Sequence, residues 1–568
     1  MKKYRSFLLF LSCLLIFLCA GCGEKENLPA ETDPTGSHDG QTDGTADDRE
    51  PTGSDQGSHA GTEDSDLPTP PTPQEPDLSF DSMELPRDSV QTLAEQEMTP
   101  AQYTALAANG MNGALSRIST IVSPDFSLQV NGENVPVYAT LAFVGVNGGG
   151  GAIQSFATVF VNNAANFRLD VTVSPLRDEI VVGNAIVLSG GVSVACTAER
   201  RSVTAAVSAP GAYTFLCNDP DQEHTLVLFV RENVDDEARI AAYRAKYGAD
   251  RVKVFEAGTH EVNHISAESN SVLYLCKGAF LIAKPLKVES DVGLIEIRGK
   301  SNVTVAGYGY VEMSLLGHSE RIALRAYAAS KTDIREVTFI NNGAWNLYMY
   351  YSENCSITSV TVLGHRMNSD GINICNSRSV QVRDCWIRTG DDCYSGKTLG
   401  GASDAYLMNV VFENCTAWAG KARCFGITGE AQKSIVGLTF RNCDILFRDA
   451  TWDNSRLGGI CVIVEAGSSN DVMIKDVLFE NIRIHRDYGR AINVTVLDPA
   501  ITGLSLTGIV FRNIVCTHAE LPFRVWVANG SNQLSVTLES VIVNGTPLTA
   551  DGVLTDAGAS VEIKKKDD

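Results

Sequence analysis

From about residue 250 the chain repeats a short apolar strand closed by a polar turn residue. Val337-Thr338-Phe339-Ile340-Asn341, Val380-Gln381-Val382-Arg383-Asp384 and Val410-Val411-Phe412-Glu413-Asn414 share the form apolar-x-apolar-x-Asn/Asp. Leu438-Thr439-Phe440-Arg441-Asn442, Val477-Leu478-Phe479-Glu480-Asn481 and Ile509-Val510-Phe511-Arg512-Asn513 continue it. Successive anchors from Val380 lie 30, 28, 39 and 32 residues apart, and Ile357-Thr358-Ser359 fits one step earlier. One strand motif per period of this size predicts a solenoid. Units built only of strands predict a right-handed parallel β-helix over 250–568.

Two residue types fit that frame. Stacked coils place turn side chains ~4.8 Å apart. Asn341, Asn414, Asn442, Asn481 and Asn513 are therefore expected to form an amide ladder that satisfies turn backbone. Cys385, Cys415 and Cys443 follow the ladder position, where Ile482 and Ile514 stand in later coils. That is a buried site for a small hydrophobe. No disulfide framework and no zinc spacing is indicated.

Ahead of the repeat the pattern differs. Residues 84–232 alternate apolar and polar in short runs broken by Gly, Asn and Pro, as in Val137–Phe143, Phe167–Val173 and Thr225–Val230. Many short strands at this spacing predict a β-sandwich. Residues 233–249 predict one connecting helix. The fold class is thus all-β, a sandwich followed by a β-helix.

The N-terminus is a different material. Lys2, Lys3 and Arg5 precede an apolar run from Phe7 to Cys19, too short to span a bilayer and flanked like an export signal. It ends in Leu18-Cys19-Ala20-Gly21-Cys22, which resembles a bacterial lipobox. That resemblance implies a signal peptide over 1–22, lipidation of Cys22 and a membrane anchor on the outer side of the cytoplasmic membrane. The usual leucine three places before the lipidated cysteine is here Cys19. Residues 23–83 are rich in Thr, Ser, Gly, Pro and Asp and lack any apolar period, which predicts a disordered tether.

Charge sharpens this division. The chain carries 46 basic and 68 acidic residues, net -22. Residues 23–82 alone hold 16 acidic and 2 basic side chains. The folded part is only mildly acidic, without a basic patch, which argues against nucleic acid as a partner.

The candidate chemistry lies between two of the repeated strands. Asn368-Ser369-Asp370-Gly371-Ile372 precedes the Val380 strand, and Gly390-Asp391-Asp392-Cys393 follows it. Asp370 is 21 residues from Asp391 and 22 from Asp392, about one coil. The three carboxylates should meet on one face. Crowded carboxylates raise at least one pKa, and glycoside hydrolysis needs one protonated and one ionised carboxyl. Neighbouring coils are expected to give the ~6.5–9.5 Å gap that admits a water and inverts the anomeric centre.

These motifs, with Thr389 before the aspartate pair and Lys397 after it, resemble the polygalacturonase family, glycoside hydrolase family 28. The related dextranase and isopullulanase family, family 49, shares the trio and carries a β-sandwich before the β-helix. The resemblance implies Asp391 as general acid, Asp370 and Asp392 as the base pair holding water, inversion and no cofactor. Polygalacturonases carry Gly-His-Gly one coil later, where this chain has Gly420-Lys421-Ala422-Arg423-Cys424-Phe425-Gly426. They carry Arg-x-Lys one coil beyond, where this chain runs Gly459–Glu465. An acidic residue there suits a neutral, α-linked glycan better than pectin.

Flanking residues complete the expectation. Lys397, Arg423, Glu465, His365 and Trp418 are candidate substrate-binding residues, with Arg366, Trp345 and Trp452 beside them. The expected partner is a polysaccharide or oligosaccharide bound by a monomer, with no metal. Two other classes remain open. Stacked aspartates also suit calcium in a polysaccharide lyase, and a dead hydrolase scaffold would serve as a surface glycan-binding protein.

Overall fold

A computed structural model describes residues 75–564, except 110–112, 145–149, 184, 200, 218–221, 223, 286–291, 402–405, 466 and 557. Cys22, the signal segment and nearly all of the expected tether lie outside the described residues. Within them the sequence folds as an all-β protein, with a right-handed parallel β-helix behind a sandwich.

The sandwich pairs an eight-stranded sheet with a five-stranded one. Its boundary lies earlier than expected. Strand Phe80–Ser82 pairs antiparallel with Gly150–Val161, so residues assigned to the tether belong to the sheet. The helix Asp236–Tyr247 connects the two parts, capped by Asp235 Oδ1, which accepts from the Ala238 amide (3.0 Å). A second helix, Pro100–Asn109, had no signal in the periodicity.

The β-helix has three strand faces. Two are joined into a sheet of 21 strands, and the third is a sheet of 11. Inside, Phe412, Phe440, Phe479 and Phe511 stack ring on ring, 4.5, 5.1 and 4.8 Å apart and nearly parallel. They are the repeated phenylalanines of the motif, one per coil. Cys385, Cys415 and Cys443 are buried and free, as their position after the turn predicts.

The turn residues have a backbone reason. Asp384, Asn414, Asn442, Asn481 and Asn513 all take φ between 52° and 55°. Asn and Asp tolerate that left-handed conformation better than other residues with a Cβ. Their amides form the ladder: Asn414 donates to Asp384 (3.2 Å), Asn481 to Asn442 (3.0 Å) and Asn513 to Asn481 (3.0 Å). Asn341 is an exception. The left-handed turn of its coil matching this column is Glu336, φ 73°. Asn341 closes the next strand, and its amide donates to Ser119 Oγ (2.7 Å) and Thr140 Oγ1 (2.6 Å) of the sandwich.

That contact belongs to a wide seam. Sandwich residues Leu85, Tyr138, Phe156 and Phe229 pack on Tyr310, Leu363, Trp386 and Trp418 from one face of the β-helix. The seam also holds a buried cation. The Arg388 guanidinium lies 3.6 Å over the Trp418 ring and donates to the Phe143 carbonyl (2.8 Å) and to Gln154 Oε1.

Candidate active site

The 11-stranded face carries the aspartates. Leu347 pairs with Ile372, Ile372 with Tyr394, and Tyr394 with Phe425. The residues two places before these form one column along the helix axis: Trp345, Asp370, Asp392 and Arg423. Backbone bonds fix it, from Asn346 N to Asp370 O (2.8 Å), Gly371 N to Asp392 O (2.8 Å) and Cys393 N to Arg423 O (2.9 Å).

The glycines beside the aspartates are steric requirements. A Cβ on Gly390 would collide with the carbonyl oxygens of His365 and Arg366. One on Gly371 would meet the Cys393 carbonyl. Both motifs therefore need glycine where successive coils touch.

Asp370, Asp391 and Asp392 each present a carboxylate oxygen within 4.8 Å of the others. Adjacent coils sit a strand spacing apart, which brings Asp370 beside the Asp391–Asp392 pair. Asp370 and Asp392 are buried, and Asp391 is partly open. Lys397 Nζ lies 3.1 Å from Asp370 Oδ2, 3.5 Å from Asp392 Oδ2 and 3.7 Å from Glu430 Oε2. Arg423 lies 3.4 Å from Asp392 and 3.4 Å from Glu465. Asn373 Nδ2 donates to Asp370 Oδ2 (3.0 Å).

The electrostatics separate the roles. Burial, then Asp370 and Asp392, push the Asp391 carboxyl up to about 8. Two backbone amides favour its anion, Asn368 N (3.1 Å) and Asp392 N (2.9 Å), but do not outweigh those effects. Burial also raises Asp370, while the Lys397 ammonium pulls it back. Burial alone would lower Lys397; Asp370, Glu430 and Asp392 hold it well above the usual lysine range. At neutral pH the site thus contains a protonated Asp391 beside Asp370 and Asp392, which face the Lys397 and Arg423 cations. The three carboxylates also have the donor set for a cation, but Lys397 and Arg423 already serve two of them.

The other expected residues divide. Arg423 and Glu465 do lie in the site, paired with each other, and Glu465 also meets Arg456 (3.5 Å). Lys397 is only 3% exposed and faces carboxylates, so it is not placed to bond sugar hydroxyls. His365 and Trp418 are corrections. His365 is buried in the seam, its Nδ1–H donating to Asn341 Oδ1 (2.7 Å), its ring edge-on to Phe143 at 5.1 Å. Trp418 is fully buried between Arg388 and Phe447. Arg366 is likewise buried, donating to Gly113 O (2.7 Å). The sandwich covers all three. Trp452 is 57% exposed, with Nε1 on the Lys421 carbonyl (2.8 Å). Sequence reasoning missed Asn373, Glu430 and Arg456. Asn373 had a signal, because it lies one strand step from Asp370 in an otherwise apolar strand.

Residues 287–557 match the family model for Glycosyl hydrolases family 28. An exopolygalacturonase of Oenothera organensis is 26% identical over 34% of this chain and 51% of its own length. An exopolygalacturonase of Arabidopsis thaliana is 26% identical over 27% of this chain and 41% of its own. The chain spans about half the length of these curated relatives. Among solved structures, an exopolygalacturonase from Thermotoga maritima aligns with TM-score 0.44 at 12% identity, covering 58% of this chain and 87% of that one. The catalytic domain of a GH87 α-1,3-glucanase aligns with TM-score 0.37 at 11% identity, covering 86% and 98%. Over residues 287–557, just under half of the chain, the β-helix is thus similar in sequence to glycosyl hydrolases family 28.

Proposed function

We propose that this protein is an inverting glycoside hydrolase acting on a polysaccharide. The carrying observation is Asp391, partly open and held protonated to about pH 8 beside Asp370 and Asp392. Asp391 gives its proton to the glycosidic oxygen as the bond to the anomeric carbon breaks. Asp370 and Asp392, faced by Lys397 and Arg423, take a proton from the attacking water. Asn373 orients Asp370. No metal enters these steps.

The substrate reading is a neutral, α-linked glycan. Glu465 lies against Arg423 and Arg456, so the cations on that flank already have a carboxylate partner. A uronate there would meet Glu465. Galacturonan is the second reading, favoured by the names of the polygalacturonase relatives. The protein is further proposed to be exported and held at the membrane through a lipidated Cys22, on the signal-like run ending in Ala20-Gly21-Cys22. Labelled fatty acid should enter the wild type and not Cys22→Ala.

The test is reducing-end release from dextran, pullulan, polygalacturonate and other glycans, repeated with Asp391→Asn. Activity on a neutral polymer that disappears in the variant is expected. Activity that survives the substitution would refute the assigned acid. A product absorbing in the ultraviolet, lost on chelation, would instead identify a lyase.

A further inference from the structure

Beside the aspartates the outer surface of the 11-stranded face turns aromatic. Strand Leu347–Tyr350 buries Leu347 and Met349 and points Tyr348 and Tyr350 outward, each partly exposed. The Tyr348 and Tyr350 rings are 5.5 Å apart and inclined by 17°. Trp345 meets Tyr348 edge-on at 5.0 Å. Tyr327, one coil earlier and in register with Tyr350, lies 5.5 Å from it. The matching outward positions one and two coils later are Asn373, Cys375, Ser395 and Lys397, all buried and none aromatic. The cluster is therefore local to the coils that approach the trio from the N-terminal side.

Its position ties it to the chemistry. Trp345 stands in the same column as Asp370, one coil away, and Lys397 Nζ lies 4.7 Å above its ring. At the far end, Tyr350 donates to the Gly400 carbonyl (2.7 Å), so the turn after Lys397 closes the row. Partly exposed rings grouped on a surface mark a ligand groove. Among the described residues, Lys397 beside the row is held by Asp370, while Arg298, over Tyr327, shares Glu296 (3.2 Å) with the buried Arg325 (2.9 Å), the residue in register with Tyr348 one coil earlier.

We propose that Trp345, Tyr348 and Tyr350 form a stacking ledge for pyranosyl residues of a neutral polysaccharide. The chain would cross the aspartates and continue over the ledge toward the N-terminal coils. Flat C–H faces of sugars suit flat aromatic faces, and the cation over Trp345, Lys397, faces Asp370 and Asp392 rather than an open site. The inference rests on the hydrolase reading and names its substrate class.

The test separates the two. The full chain carrying Asp391→Asn is run in native gels containing dextran, pullulan or polygalacturonate. Retardation by a neutral polymer is expected. Adding Tyr348→Ala should weaken that interaction about tenfold, the scale of one aromatic contact, while Tyr348→Phe, which keeps the ring, should leave it within about twofold. Thermal unfolding checks that both variants are folded. Equal retardation of Tyr348→Ala and its parent would overturn the ledge. So would retardation by polygalacturonate alone, or by no polymer. The hydrolase reading fails on a different result, activity that persists in Asp391→Asn.

Discussion

Asp391→Asn should abolish hydrolysis and at the same time stabilise the fold. The native carboxyl holds its proton to about pH 8, whereas an unfolded aspartate loses it near ~3.9. Between those values the folded state binds one more proton than the unfolded chain. Stability is then fully present below about pH 4 and falls by ~1.36 kcal/mol per unit until the folded group ionises near pH 8. At pH 7 the accumulated loss is about 4 kcal/mol, an upper figure because the neighbouring Asp370 couples to the same titration. Asparagine has no proton to lose, so the variant escapes the decline. On the order of 500 ordered residues give an unfolding entropy of roughly 1 kcal/mol/K, which converts this to about 4 °C in Tm. Thermal scans of both proteins at pH 4, 5.5, 7 and 8 make the measurement. The gap should be near zero at pH 4 and widen steadily to pH 8, while the rate falls by roughly 10²–10⁴. A gap independent of pH, or a variant less stable at pH 7, would refute the view that burial and two carboxylates hold that proton.

Three further outcomes follow from the geometry. Lys397→Met removes the ammonium that counters Asp370 and Asp392; Asp370 should rise further, shifting the acid limb of the pH–rate profile upward and cutting kcat with little change in KM. Trp418→Ala should cost about 3–5 kcal/mol by emptying a fully buried site yet spare kcat, while Trp452→Ala, at an exposed site, should leave Tm nearly unchanged; thermal scans and initial rates separate them. Proton NMR of fresh product should show an anomer opposite to the substrate; retention would make Asp370 or Asp392 a nucleophile and refute the inverting reading.

The repeat was legible because a solenoid writes its period into neighbouring strands, and each coil contributes the same Phe to the same stack. The trio was legible for the same reason: one-coil spacing converts directly into adjacency. What escaped depends on long-range covering. Trp418 and His365 read from sequence as exposed candidates, and nothing local tells which face of the β-helix the sandwich seals. Asn341 shows the limit within a motif. It matches the repeat and is itself left-handed (φ 49°), but Glu336 holds the ladder column in that coil, and the Asn341 amide donates to Ser119 and Thr140 instead. Lys397 ends among carboxylates rather than toward sugar hydroxyls; sequence spacing does not show whether a long side chain ends in solvent or among carboxylates.

The sandwich does more than cover apolar surface, and the path is short. His365 and Arg366 lie a few residues before Asp370. The sandwich grips them through Phe143, through the Gly113 carbonyl, and through Asn341, which Ser119 and Thr140 hold. The carbonyls of that same pair press on Gly390, the residue before Asp391. Asn368, between them, donates its amide to the Asp391 carboxyl. One segment therefore carries the seam at one end and, at the other, Asp370 and a backbone amide held on Asp391. A β-helix alone fixes the aspartates along its axis, by strand register. It leaves the depth of the 365–370 corner to whatever packs behind it, and here that support is the sandwich. His365 and Arg366, expected at the sugar, are better understood as the posts on which the Asp370 corner rests.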